Sequence, residues 1–135
     1  MYVNRSVGYT TWHMCAITGL VSLHPGTQDK LIVERMLTSM AHRGPDDQQV
    51  ISWPGATFGH ARLSILDQSA AARQPMVNDR GDIMLTYNGE IYNHLALKQW
   101  LGKDHTYHST SDTEVLLHCY EQKGLSCLDR LNGMF

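Results

Sequence analysis

Pro54-Gly55 is the strongest constraint on what this chain can fold into. It separates two runs of β-forming residues, 49–53 and 56–60, and a Pro-Gly pair between such runs makes them neighbouring antiparallel strands joined by a tight turn. An earlier apolar run, 17–23, reads as another strand that ends before Pro25. Leu31, Ile32, Arg35, Met36 and Met40 recur at helical spacing and predict a helix over about 28–41, with Thr27 as its N-cap. A further strand is expected over 62–66, loop over 67–82 and another β-rich run over 83–88. Leu95, Leu97, Trp100 and Leu101 predict a short helix after Asn93. Asp112 is expected to cap a helix whose apolar stripe is Val115, Leu116, Cys119 and Tyr120. Antiparallel-type strands with interspersed helices define an α+β fold. Residues 131–135 read as a turn into a strand that lies beyond Phe135, so the chain is expected to stop inside its domain.

With 135 residues, one hydrophobic core is expected and no second folding unit. Lys and Arg number 11 against 13 Asp and Glu, a net charge of −2. That leaves no basic field to hold nucleic acid or an anionic membrane surface, and no apolar run approaches membrane-spanning length. Three cysteines without a CxxC pair argue against a disulfide scaffold and for a reducing cytoplasm. Residues 1–14 differ from the rest: one charge, Arg5, and neither periodicity nor an apolar signal core. They read as a separate extension (a disordered tail, a remnant or a mis-assigned start), with Met14 as the initiator and the domain proper over 15–135.

Five segments place polar residues and glycine where a plain core needs neither. They are Met14-Cys15-Ala16-Ile17-Thr18-Gly19, Ala41-His42-Arg43-Gly44-Pro45-Asp46-Asp47, Gly59-His60-Ala61-Arg62-Leu63-Ser64-Ile65-Leu66-Asp67, Tyr87-Asn88-Gly89-Glu90-Ile91-Tyr92-Asn93-His94 and Ser109-Thr110-Ser111-Asp112-Thr113-Glu114. If Met14 is removed, Cys15 carries a free α-amine with a pKa near neutrality, so nucleophile and general base come in one residue. A thiolate attacking an amide creates an oxyanion that needs preorganised donors. The Asn88 side chain and the Gly89 backbone N–H can provide them. Arg62 can grip an α-carboxylate and Asp112 an α-ammonium. The set suits an α-amino acid bearing a reactive amide, glutamine or asparagine.

With these five motifs in order, the chain resembles the glutaminase domain of glutamine-dependent asparagine synthetases, class II glutamine amidotransferases of the N-terminal nucleophile hydrolase fold. That resemblance runs from Met14 to Phe135 and implies a four-layer αββα sandwich, here truncated at its C-terminus. It implies Cys15 as nucleophile, and Asn88 and Gly89 as the oxyanion hole. By the same resemblance Arg62 binds the glutamine carboxylate, Leu63, Ser64, Ile65 and Leu66 line the site, and Glu90 and Asp112 contact the head group, while Arg43 and Gly44 support the pocket. No metal and no cofactor are expected in this chain. ATP and Mg would belong to a synthetase domain, normally in the same chain, whose Ser-Gly-Gly-type pyrophosphate loop does not occur here. The full-length enzyme could be a homodimer.

Ala16 stands where the family usually has Gly or Ser, and fourteen residues precede the nucleophile. If they are retained, the Cys15 nitrogen is an amide and glutaminase chemistry should be blocked. Two other readings stay open: an inactive fragment or glutamine-binding module, and an amidotransferase with a different acceptor domain. Cys119 reads as core. His105, His108 and His118 fit no zinc spacing, and His42 and His60 read as structural hydrogen-bonders.

Overall fold

A computed structural model describes residues 14–23, 26–63, 67, 69–103 and 105–135. The elements run β1 (Ala16–Val21), α1 (Thr27–Ser39), β2 (Asp47–Trp53), β3 (Ala56–Arg62), β4 (Met76–Val77), β5 (Met84–Leu85), β6 (Glu90–Ile91), α2 (His94–Leu101), α3 (Asp112–Lys123) and β7 (Gly133–Met134). Short 3-10 turns cover Ala70–Ala72 and Gly124–Arg130. The fold is α+β.

The hairpin forms where Pro54-Gly55 places it. Gly55 adopts φ +83°, a conformation open to glycine at little cost, and β2 and β3 pair antiparallel from Trp53↔Ala56 to Asp47↔Arg62. β1 joins the other edge of β3, from Val21↔Ala56 to Ala16↔Ala61, so the sheet order is β1-β3-β2. On β1 the inward residues are Ala16 and Thr18, while Ile17 and Gly19 face outward. α1 lies against the sheet through Val33 and Leu37, both fully buried. A Cβ on Gly59 would come within 2.9 Å of Val33 and of Thr18 side-chain carbons, so glycine lets α1 sit close to the central strand.

A second core holds Ile91, Leu97, Leu101, Val115, Leu116, Cys119 and Cys127. It joins α2 and α3 to the small β6–β7 ladder, which pairs Glu90↔Met134 and Ile91↔Gly133. Asn93 secures this ladder: its side chain donates to Arg130 O at 2.9 Å and accepts from Asn132 N–H at 2.9 Å. Among the described residues, no helix is long and apolar enough to cross a membrane.

Several sequence expectations are corrected. Gly26, not Thr27, occupies the cap of α1; Asp29 reaches back to the Gly26 N–H at 3.3 Å, and Thr27 begins the helix. Ser111, not Asp112, caps α3, its hydroxyl accepting from Thr113 N–H at 3.1 Å. No strand begins at Arg62, which instead ends β3; Leu63 is outside any strand, and Ser64–Leu66 lie outside the described residues. Of 83–88 only Met84–Leu85 is strand, paired with β4 inside what the sequence reads as loop. Within 131–135, read as a turn, Gly133–Met134 form a short strand.

His60 sits on β3 with no exposed surface; its Nδ1 is 3.1 Å from Thr86 Oγ1, and its Nε2 has no partner among the described residues. Burial, reinforced by the charge of Arg62, lowers its pKa from 6.5 to about 4. The unfolded chain therefore binds more protons between these values, and native stability falls as pH drops from 6.5 to about 4. The full effect is about 3 kcal/mol. Urea unfolding across this range should show that loss, and His60→Gln should flatten it; an equally steep profile in the variant would assign the dependence elsewhere.

Candidate functional site

Arg62 is the last residue of the central strand, and the site is built around it. The β1–β3 register brings Cys15, one residue before β1, alongside the end of β3. The Cys15 thiol lies between the two backbone polar groups of Leu63: Leu63 N–H points to Sγ at 3.3 Å, and Sγ lies 3.6 Å from Leu63 O. Cys15 is half-buried and free. On the opposite side Asp46 N–H donates to Arg62 O at 3.1 Å. Gly44 is buried, and a Cβ there would fall inside the backbone atoms of Ala61 and Arg62. The segment His42–Asp47 thus braces Arg62 through backbone contact.

The Arg62 side chain is 8% exposed. Its guanidinium donates to Ser69 O at 3.2 Å and to Asp67 O. The Asp67 carboxylate accepts from Thr110 N–H at 2.8 Å, Thr110 Oγ1 at 3.0 Å and Ser69 N–H at 2.7 Å. The Thr110 N–H, followed by the Ser69 donors, holds this carboxyl well below the usual range. Asp67 therefore fastens the chain that follows Arg62 to the turn that opens α3.

At that turn Glu114 accepts from His108 N–H at 2.7 Å, Ser109 N–H at 2.8 Å and Ser109 Oγ at 2.6 Å. Asp112, 5% exposed, accepts the Ile91 N–H at 2.8 Å, which draws Gly89 and Glu90 beside the first turn of α3. Glu90 has its pKa raised by burial and by the neighbouring Asp112 charge. Two carboxylates held this close favour a cation between them. Gln74 completes the support. Its Oε1 accepts Tyr87 N–H at 2.6 Å and its Nε2 donates to Thr113 Oγ1 at 3.1 Å, so it bridges the segment before Asn88 to α3.

The result is one cleft lined by Cys15, Arg62, Leu63, Gly89, Glu90 and Asp112, with Asp67, Ala72, Gln74, Tyr87, Ser111 and Thr113. The first six are residues the sequence singles out. Asn88 is half-buried beside Gly89 but does not line the cleft, and Arg43 and Gly44 lie outside it, with Gly44 behind Arg62. Ser64, Ile65 and Leu66 lie outside the described residues. The space it holds is about 40 Å³, well under that of a formed small-molecule pocket. Sequence reasoning gave no site role to Gln74, Tyr87 or Thr113. Tyr87 and Thr113 lie within recognised motifs, whereas Gln74 lies in a stretch read as plain loop.

Residues 14–135 match the family model for the glutamine amidotransferase domain, and the chain belongs to that family. It is 42% identical over 126 residues to asparagine synthetase (glutamine-hydrolysing) 3 of Bacillus subtilis, covering 90% of this chain and 20% of the relative. It is 40% identical over 124 residues to asparagine synthetase B (glutamine-hydrolysing) of Escherichia coli, covering 90% and 22%. The enzyme of Asparagus officinalis is 38% identical over 123 residues, with 90% and 20% covered. The chain therefore spans about a fifth of the length of these relatives.

Gly44→Ala should cost on the order of 3 kcal/mol, because the new methyl meets backbone rather than a side chain that can turn away. Urea unfolding measures it; unchanged stability would mean that the 42–47 segment does not press on β3.

Proposed function

We propose that this chain is the glutaminase part of a glutamine-hydrolysing asparagine synthetase, active in the form that begins at Cys15. The observation that carries the reading is the convergence of Cys15, Arg62, Gly89, Glu90 and Asp112 on one cleft. Arg62 is the carboxylate anchor: it is buried, and among the described residues its guanidinium binds carbonyl oxygens, which leaves its charge to be balanced by a ligand. Glu90 and Asp112 receive the α-ammonium. The substrate's side-chain amide then faces the thiol.

In the reaction the Cys15 thiol gives its proton to the residue's own α-amine, and the thiolate attacks the amide carbon. The oxyanion accepts hydrogen bonds from the Asn88 amide and the Gly89 N–H. The carbon–nitrogen bond breaks as the α-ammonium returns the proton to the leaving nitrogen, which departs as ammonia. Water then attacks the thioester, releasing glutamate and restoring the thiol. A synthetase domain in the same longer protein would use the ammonia to make asparagine from aspartate and ATP. The sheet β1-β3-β2 with α1 on one face is taken as part of an N-terminal nucleophile hydrolase sandwich, a reading supported by the family match.

The form beginning at Cys15 should release ammonia and glutamate in equal amounts, and Cys15→Ala should release neither. Retained turnover in that variant would remove Cys15 from the chemistry; glutamine binding without turnover in the unmodified form would make the chain a binding module. Arg62→Ala should raise the glutamine KM by the loss of a buried charge pair, on the order of 2–5 kcal/mol. Arg62→Lys should recover only part of this, because an ammonium cannot reproduce the planar fork. An unchanged KM in both would show that the carboxylate binds elsewhere.

A further inference from the structure

Further along α3, beyond the first turn that lines the cleft, the fold gathers a group of side chains that glutamine hydrolysis does not use. His118 and Glu121 sit three residues apart on α3, and so on one face, with His118 Nδ1 3.2 Å from Glu121 Oε2. His105, from the segment before the helix, packs against His118 with the rings tilted and their centroids 4.6 Å apart. One donor atom from each of these three residues lies within 4.8 Å of the other two. His105 Nε2 is buried and has no hydrogen-bond partner among the described residues, an arrangement that needs a reason. A surface cleft of about 390 Å³ opens beside the group.

We propose that His105, His118 and Glu121 form a binding site for a divalent first-row transition ion of the zinc class, with water completing the coordination from the cleft. Two imidazoles and a carboxylate are the donor set such ions prefer, whereas magnesium and calcium take oxygen almost exclusively. Bonds of about 2.0–2.1 Å place neighbouring ligand atoms of a tetrahedral site about 3.3 Å apart. The His118–Glu121 pair already stands at that spacing, and His105 closes the third corner by a small movement of its ring.

The surroundings hold the ligands as an outer shell does. Asn78 Nδ2 and Arg80 Nε bind the other carboxylate oxygen of Glu121, at 2.8 and 3.1 Å, leaving Oε2 to face the histidines. The segment carrying His105 is fixed just downstream, where Glu114 accepts the His108 and Ser109 N–H groups. Arg80 carries an opposing charge. It contacts the oxygen turned away from the histidines, and its side chain is 61% exposed, free to swing toward solvent. An ion here would tie the 105–108 segment to α3, the helix whose N-terminus carries Asp112.

The test is titration of the untagged, chelator-stripped chain with Zn²⁺ by calorimetry and with Co²⁺ by visible absorption. One equivalent should bind saturably, Co²⁺ should give the intense band of a tetrahedral site, and Mg²⁺ should not compete. His105→Gln should weaken binding at least tenfold with circular dichroism unchanged, since His105 is a half-exposed residue outside the helices. Glu121→Gln should do the same. No saturable binding would overturn the proposal, as would a Co²⁺ spectrum of octahedral type or full affinity in a folded His105→Gln protein.

Discussion

The register of β1 on β3 is the constraint on which the rest of the site depends. Side chains alternate along a strand, so a slip of one residue would turn every inward residue of β1 outward. Ala16 and Thr18 face the core, and Ala16 pairs with Ala61. That pairing alone delivers Cys15 to Leu63 and Arg62. The register is held from both ends: Ser22 N–H reaches Gly55 O at 3.0 Å near the hairpin turn, and the small residues Ala16, Ala61 and Gly59 leave room for α1 on the inner face. A bulkier inner face would push the helix away and loosen the pairing at the end where the cysteine sits.

A second set of contacts brings the other half of the site to this strand end. Asp67 reaches from the chain after Arg62 to Thr110, Asp112 binds the Ile91 N–H, and Gln74 spans Tyr87 and Thr113. Each joins segments more than a dozen residues apart. The first turn of α3 is therefore both a cap and a hub. Its Ser111 satisfies the helix, its Asp112 positions β6, and its Glu114 orders the segment before it. Polar side chains are concentrated here because they are the groups that can fix backbone without strands of their own.

What was legible in the sequence follows from the range of each interaction. Gly55 and the hairpin were legible because turn chemistry is local, and α1, α2 and α3 because their apolar spacing is local too. The caps were misassigned by one residue: Thr27 and Asp112 are good capping types, but the neighbouring Gly26 and Ser111 hold the non-helical backbone. The boundary expected at Arg62 is displaced because Arg62 continues the ladder of β3 opposite Asp47, a long-range pairing. Cys15, Arg62, Gly89, Glu90 and Asp112 could be named from motifs, since glycine and charge among apolar residues stand out. Gln74 could not, because its role lies in two hydrogen bonds to residues 13 and 39 positions away. The same holds for His105, which the fold brings beside His118 and Glu121.

The central claim is that Cys15 is the reactive thiol of a glutamine site. Its two companions are poor competitors: burial pushes the Cys119 thiol up to about 11 and also raises that of Cys127, and both side chains are buried. An electrophilic analogue of glutamine, applied to the form beginning at Cys15 and mapped by peptide mass spectrometry, separates the three. The account predicts a single adduct on Cys15 whose formation glutamine suppresses. An adduct on Cys119 or Cys127 instead, or labelling of Cys15 that saturating glutamine leaves unchanged, would contradict it.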